Sequence, residues 1–351
     1  MKPVKQVQSI SSADVPYPPS FIDRLISLTQ RLPLPYWQIY LLFFIIQSLI
    51  IYLIAWIDGS ISLLSSPRIL LLFPAWQWIP FLIVTFLNKT ARSTIHSFSR
   101  LLGHPDDELE KLKYEFTTMP PRDVIISSTT WVAFYVIATY FFFYLYQDLG
   151  FGNLLRSIVI LEGLFCFATG GVIYYHSLRQ LWLVNRTVKT LKRYNLFNLD
   201  PVYSFSRLTA WTGISWVLML MLNLLLFPFG AALELILFIA VIQVAFALAA
   251  FILPLQFVNN RLVAEKRRLL AENRQRVEAT LNRLHEQIDQ NQLNEVEHLN
   301  SVISGLSAER DMLEKIPTLP WRTETLTGFL SATILPIILL IIQLIIERWI
   351  N

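Results

Sequence analysis

Charge is scarce in this chain. Charged side chains make up 15% of its 351 residues, against roughly a quarter in an ordinary soluble domain, which excludes a large water-facing surface over most of its length. Cysteine is almost absent: Cys166 stands alone, so neither an intramolecular disulfide nor a cysteine-based metal site can form. That thiol lies inside an apolar block and reads as a packing residue. A phosphate-cradling glycine loop, a nucleophile elbow and a His-Glu-x-x-His pair are all missing. The five histidines are not spaced as metal ligands, and His104-Pro-Asp-Asp-Glu108 reads as the acidic start of a helix. No enzymatic activity, cofactor or nucleic-acid partner is therefore expected. The first 35 residues lack an apolar core followed by a small-residue cleavage site, so no cleaved signal peptide is expected either.

What the chain has instead is hydrophobicity, 54% of residues, gathered into blocks of about 20, the length a helix needs to cross a bilayer. Seven spans are expected at about 36–57, 69–87, 124–146, 154–178, 208–228, 231–257 and 325–346. Pro74 and Pro80 interrupt the second, leaving a full crossing and a re-entrant segment both open. With the N-terminus inside, the inner segments 1–35, 88–123, 179–207 and 258–324 hold 26 of the 29 lysines and arginines, and the outer side only Arg68, Arg156 and Arg348. Even without the 67-residue inner segment the count is 16 against 3. By the positive-inside rule the N-terminus is cytoplasmic and the C-terminus external.

The expected fold is thus an all-α integral membrane protein in four parts. Residues 1–35 are a cytoplasmic segment, and 36–257 a six-helix region with cytoplasmic loops 88–123 and 179–207. Residues 258–319 are a cytoplasmic hairpin, and 320–351 the last span with a short outer tail. Within the first part, Ser20-Phe21-Ile22-Asp23 has the pattern of a capping box and opens an apolar stripe through Leu28, flanked by Arg24 and Arg31. Such a helix fits either on the inner leaflet or packed under the bundle. In the hairpin, a near-heptad stripe (Leu262, Leu269, Val277, Leu281, Leu284, Ile288) is followed by a polar turn and a second stripe (Val296, Leu299, Ile303, Leu306, Leu313). The last span must return to the membrane, so two antiparallel helices fit better than one rod, projecting roughly 40 Å.

Polar residues at membrane depth are the candidate site: Glu162, Glu234, Asn223 and Gln243. Intramembrane carboxylates are costly and point to function. Glu162 fits an ion or proton path, or a structural pair with Arg156 or Arg68; the amides, with Gln47 and Gln343, fit helix–helix hydrogen bonding. Arg179, Arg186, Lys189, Lys192 and Arg193, with Lys266, Arg267 and Arg268, are placed to meet anionic lipids of the inner leaflet.

The layout of seven spans, N-inside, with long inner helices and a very short last outer turn, resembles that of insect odorant and gustatory receptor channels. Their Thr-Tyr…Gln-Phe signature in the last span has no counterpart here, where Thr325 and Gln343-Leu344 stand far apart. The likeness covers layout only, and likeness at the level of the fold confers neither function nor site residues. Three function classes follow: a homo-oligomeric channel or membrane sensor assembled or signalling through the hairpin; a scaffold docking a cytoplasmic protein on 258–316; and a small-solute or ion transporter. The expected location is the plasma membrane or a bacterial inner membrane.

Overall fold

The computed structural model describes residues 15–62, 67–102, 106–141, 150–189, 196–197, 199–226, 229–290 and 295–350. They form eleven α-helices: α1 (Phe21–Thr29), α2 (Tyr36–Ile57), α3 (Leu72–Leu102), α4 (Asp106–Thr117), α5 (Pro121–Phe141), α6 (Asn153–Gly170), α7 (Val172–Lys189), α8 (Asp200–Leu226), α9 (Phe229–Asp289), α10 (Val296–Lys315) and α11 (Thr323–Ile350). Six stretches, within α2, α3, α5, α6–α7, α8 and α9, are long and apolar enough to cross a membrane. The protein is an all-α, membrane-embedded chain.

α3 and α8 form the centre. Half or more of their apolar windows is buried, 50% and 61%, against 17% for α5 and 28% for α2. α3 packs on α2, α6 and α8, while α8 packs on α3, α9 and α11. The peripheral helices keep Leu41, Ile45, Leu49, Ile126, Phe134 and Ile137 on the open side, where lipid would meet them.

The prolines of α3 do not turn the chain back. Pro74 sits in the first turn, where a missing N–H costs nothing. Pro80 lies inside the helix and cannot bond the Trp76 carbonyl one turn earlier. Gly170 of α6 packs against that carbonyl: a Cβ there would lie 2.6 Å from it. α3 runs on unbroken for 31 residues, long and apolar enough to cross a membrane.

The expected fourth span proves to be two helices. α6 ends at Gly170 and α7 begins after Gly171, where a Cβ would meet the Phe167 carbonyl and Trp131 Cγ at 2.6 Å. Trp131, in turn, stacks on Tyr174 of α7 at 4.2 Å between ring centroids. Gly171 lets the α5 indole press into the joint.

α9 is a single helix of 61 residues, roughly 90 Å long. Its second half lies against α10. Asn273 Nδ2 donates to the Leu306 carbonyl at 3.0 Å and to Glu309 Oε2 at 2.9 Å, and Lys266 Nζ donates to the carbonyls of Glu314 and Ile316 at 2.8 Å. Numbers rise on one arm as they fall on the other, so the pair is antiparallel. Its contact is uneven. Leu262 and Leu313 are buried near the bundle, with Leu269, Ile316 and Trp321 packed alongside. Further out, Leu281, Val302 and Ile288 are 36%, 36% and 47% exposed. The stripe is closed near the bundle and open toward its tip.

Candidate functional site

The donor chemistry of two tryptophans orders the polar core. An indole N–H can only donate. Trp78 Nε1 donates to Gln47 Oε1, which fixes the amide so that Gln47 Nε2 faces Glu162 and donates to its Oε1 at 2.5 Å. Glu162 is thus held by α2 through an amide that α3 orients. Its other oxygen, Oε2, is buried and has no hydrogen-bond partner among the described residues. Two positions along α3, Trp76 Nε1 donates to Asn223 Oδ1 at 2.6 Å, and Asn223 Nδ2 donates to Gln243 Oε1 at 3.2 Å. That second relay ties α3 to α8 and α9. Beside them Gln77 donates to Thr169 Oγ1 at 2.7 Å.

The expected pairing of Glu162 with Arg156 or Arg68 is not realised. Arg156 Nη2 donates to the Phe151 carbonyl at 2.9 Å, and Arg68 is exposed. Six residues along a helix place Arg156 about 120° away from Glu162 around the axis, so the guanidinium reaches the loop before α6 instead. The side chains of Glu234 and Gln343, and Lys192 and Arg193 altogether, lie outside the described residues.

The other expected lipid-facing bases are mostly engaged by protein. Arg179 donates to the Glu115 carbonyl and to the Tyr17 hydroxyl. Arg186 lies 3.6 Å from Glu115 and over the Trp182 ring, and Lys189 lies over Phe257. Lys266 caps the two carbonyls at the end of α10, and Arg268 pairs with Glu265 and Glu272 at 2.5 Å. Arg267 is exposed.

Arg179 belongs to a clamp that composition does not announce. Pro120 and Pro121 end α4 and start α5, which leaves the last carbonyls of α4 without helical donors. Each finds a different side chain. Arg179 takes Glu115 O, Gln180 takes Phe116 O at 3.0 Å, Asn88 takes Thr117 O at 3.2 Å and Tyr17 takes Thr118 O at 3.0 Å. The Met119 N–H donates to Asp23 Oδ2 at 2.9 Å. Four separate segments of the chain thereby meet at one turn. Burial raises the Tyr17 hydroxyl to about 12 despite the opposing pull of Arg179, and burial likewise raises Asp23. The Pro-Pro pair was the signal in the sequence: a helix stopped so abruptly requires side-chain donors.

His176 was also passed over by pattern reading. It is 1% exposed on α7, with neither ring nitrogen hydrogen-bonded among the described residues.

No protein-family model, curated protein or solved structure matches this chain. Chemically, the relay through Glu162 presents one acceptor oxygen without a partner, a place for a cation or a proton donor to bind. The relay through Asn223 presents only neutral amide groups joining three helices.

Proposed function

We propose that this chain is a seven-span protein of the plasma or bacterial inner membrane, N-terminus cytoplasmic and C-terminus external, that assembles as a homo-oligomeric channel or sensor. α11 is the seventh span in this reading, and α9–α10 is a cytoplasmic hairpin. The observation that carries the proposal is the unbroken α9. One continuous helix passes from the polar core, where Gln243 joins the Asn223 relay, to the hairpin tip, and so joins the two ends mechanically. At the tip, Leu281, Ile288 and Val302 stand half exposed on arms of opposite charge balance. Residues 258–289 carry seven bases and five acids, and 290–324 carry three bases and six acids. A second copy, related by a symmetry axis, would lay basic arm on acidic arm and cover the leucine stripe. Glu162 is where a permeant cation or proton would be met.

Native mass measurement in detergent tests assembly, and bilayer recording tests conduction. The expected result is one symmetric oligomer that dissociates in Leu281→Glu/Ile288→Glu, with currents altered by Glu162→Gln. A monomer showing no current would overturn the reading and return the hairpin to docking a soluble partner. A monomer sufficient for solute flux would make it a transporter.

A further inference from the structure

The capping box at Ser20 forms as its residues imply. Ser20 Oγ accepts from the Asp23 N–H at 3.2 Å, and Asp23 Oδ2 accepts from the Ser20 N–H at 3.0 Å. The helix it starts is amphipathic twice over. Ile22 and Ile26 are 2% and 5% exposed, packed among Tyr40, Met119 and Val124. Phe21, Leu25 and Leu28 are exposed at 39%, 40% and 54%. At 100° per residue the two apolar faces are centred about 110° apart on so short a helix. One is accounted for by the bundle, and the other is left uncovered by the described residues.

Charge decides what covers it. The one acid of α1, Asp23, is turned inward onto Ser20 and Met119. Arg24, next to Leu28 around the helix, and Arg31, just beyond its end, are exposed, and among the described residues their guanidinium groups make no hydrogen bond or ion pair. Lys89 is exposed at the same corner, 3.8 Å above the Tyr36 ring. The open face continues through Leu32, Leu34 and Trp37 into Leu41 and Ile45, the lipid-facing side of α2. A soluble partner would have to reach around that continuous hydrocarbon surface, whereas a bilayer meets it directly.

We propose that α1 is a lipid-binding foot: Phe21, Leu25 and Leu28 sink into the leaflet, and Arg24 and Arg31 bind the phosphate groups of anionic lipids. Through Asp23–Met119 and Tyr17–Thr118 the foot is fastened to the α4–α5 turn, so lipid charge sets how firmly that clamp is held. The proposal is independent of oligomerisation or conduction. It relocates headgroup binding from Arg179, Lys266 and Arg268, whose donors already have protein partners, to two arginines that have none.

The experiment is hydrogen exchange of the α1 amides in the full chain, held in nanodiscs of phosphatidylcholine alone or of phosphatidylcholine with phosphatidylglycerol. Two basic residues at the surface predict protection about thirty-fold greater in the anionic discs. Arg24→Gln/Arg31→Gln should abolish the difference, and Arg24→Lys/Arg31→Lys should keep most of it, which separates charge from misfolding. Adding glycerol phosphate to the neutral discs should leave protection unchanged. Equal protection of the parent protein in both discs would overturn the proposal. So would full protection by the soluble phosphate, which would make the site one for a free anion.

Discussion

Trp76 and Trp78 stand two positions apart on α3, which turns their indoles to roughly opposite sides of the helix. Each fixes the flip of an amide on a neighbour, and one of those amides holds Glu162. Removing the amide should therefore cost more than removing the charge. Gln47→Leu takes away the donor to Glu162 Oε1 and is expected to destabilise the protein by about 1–2 kcal/mol. Glu162→Gln keeps an acceptor facing Gln47 and should cost less than half as much. Thermal unfolding of both variants in the same detergent checks the order. A second residue-level prediction concerns alkaline pH. Tyr17 has its folded-state value raised to about 12 from 10.0, so the neutral hydroxyl is the bound form. Its contribution is complete below pH 10 and is lost as pH rises through 12. The protection factors of the amides in 115–119, taken relative to base-catalysed exchange of the free peptide, should fall across that window in the parent and not in Tyr17→Phe. At this scale the sequence shows which polar residues matter and not which partners they find. Glu162, Asn223 and Gln243 stand out as polar residues in apolar runs. Gln47 as the partner of Glu162 depends on the rotation of α2 against α6, which no local pattern encodes.

At the scale of elements, close approach is decided by backbone as much as by side chains. α6 crosses α3 where Pro80 has left the Trp76 carbonyl without its helical donor, and Gly170 lets the two helices touch. A methyl at Gly170 would meet a main-chain oxygen at 2.6 Å, and that oxygen cannot swing aside. Gly170→Ala is therefore expected to destabilise by about 1–3 kcal/mol. Gly305, on exposed α10 with nothing near its Cβ position, should gain about 0.5–1 kcal/mol from the same change. Chemical unfolding of the two variants gives the comparison. Helix locations followed well from apolar runs: α2 lies at 36–57 as its hydrophobic block implies. Breaks and continuities did not. The joint at Gly171 interrupts a run that reads as one helix, while α9 passes through Pro254 and out of the apolar block without interruption. α1 illustrates the same limit. Its cap and stripe were plain in the sequence, yet the choice between bundle and leaflet had no single answer, because opposite edges of the stripe face each.

The distribution of bases over the whole molecule carries a further expectation. If Lys and Arg have been kept to one side, the hairpin turn and the loop after α2 must face opposite compartments. Cys166 is the single thiol and is buried, so Cys166→Ala gives a background without cysteine in which new thiols report position. Gln290 follows α9 at the hairpin turn and is exposed; Ser62 follows α2 and is exposed as well. A membrane-impermeant maleimide applied to intact cells should label Ser62→Cys at once and Gln290→Cys only after the membrane is opened. The reverse order would mean that the chain is inverted and that its basic loops lie outside. Equal labelling of both in intact cells would mean that the number of crossings between them is even, against the five apolar stretches that lie between residues 62 and 290 and against the charge asymmetry. Labelling in the expected order requires an odd number of crossings between residues 62 and 290. It would also place α10 on the side where a second hairpin, or the basic foot of α1, can act.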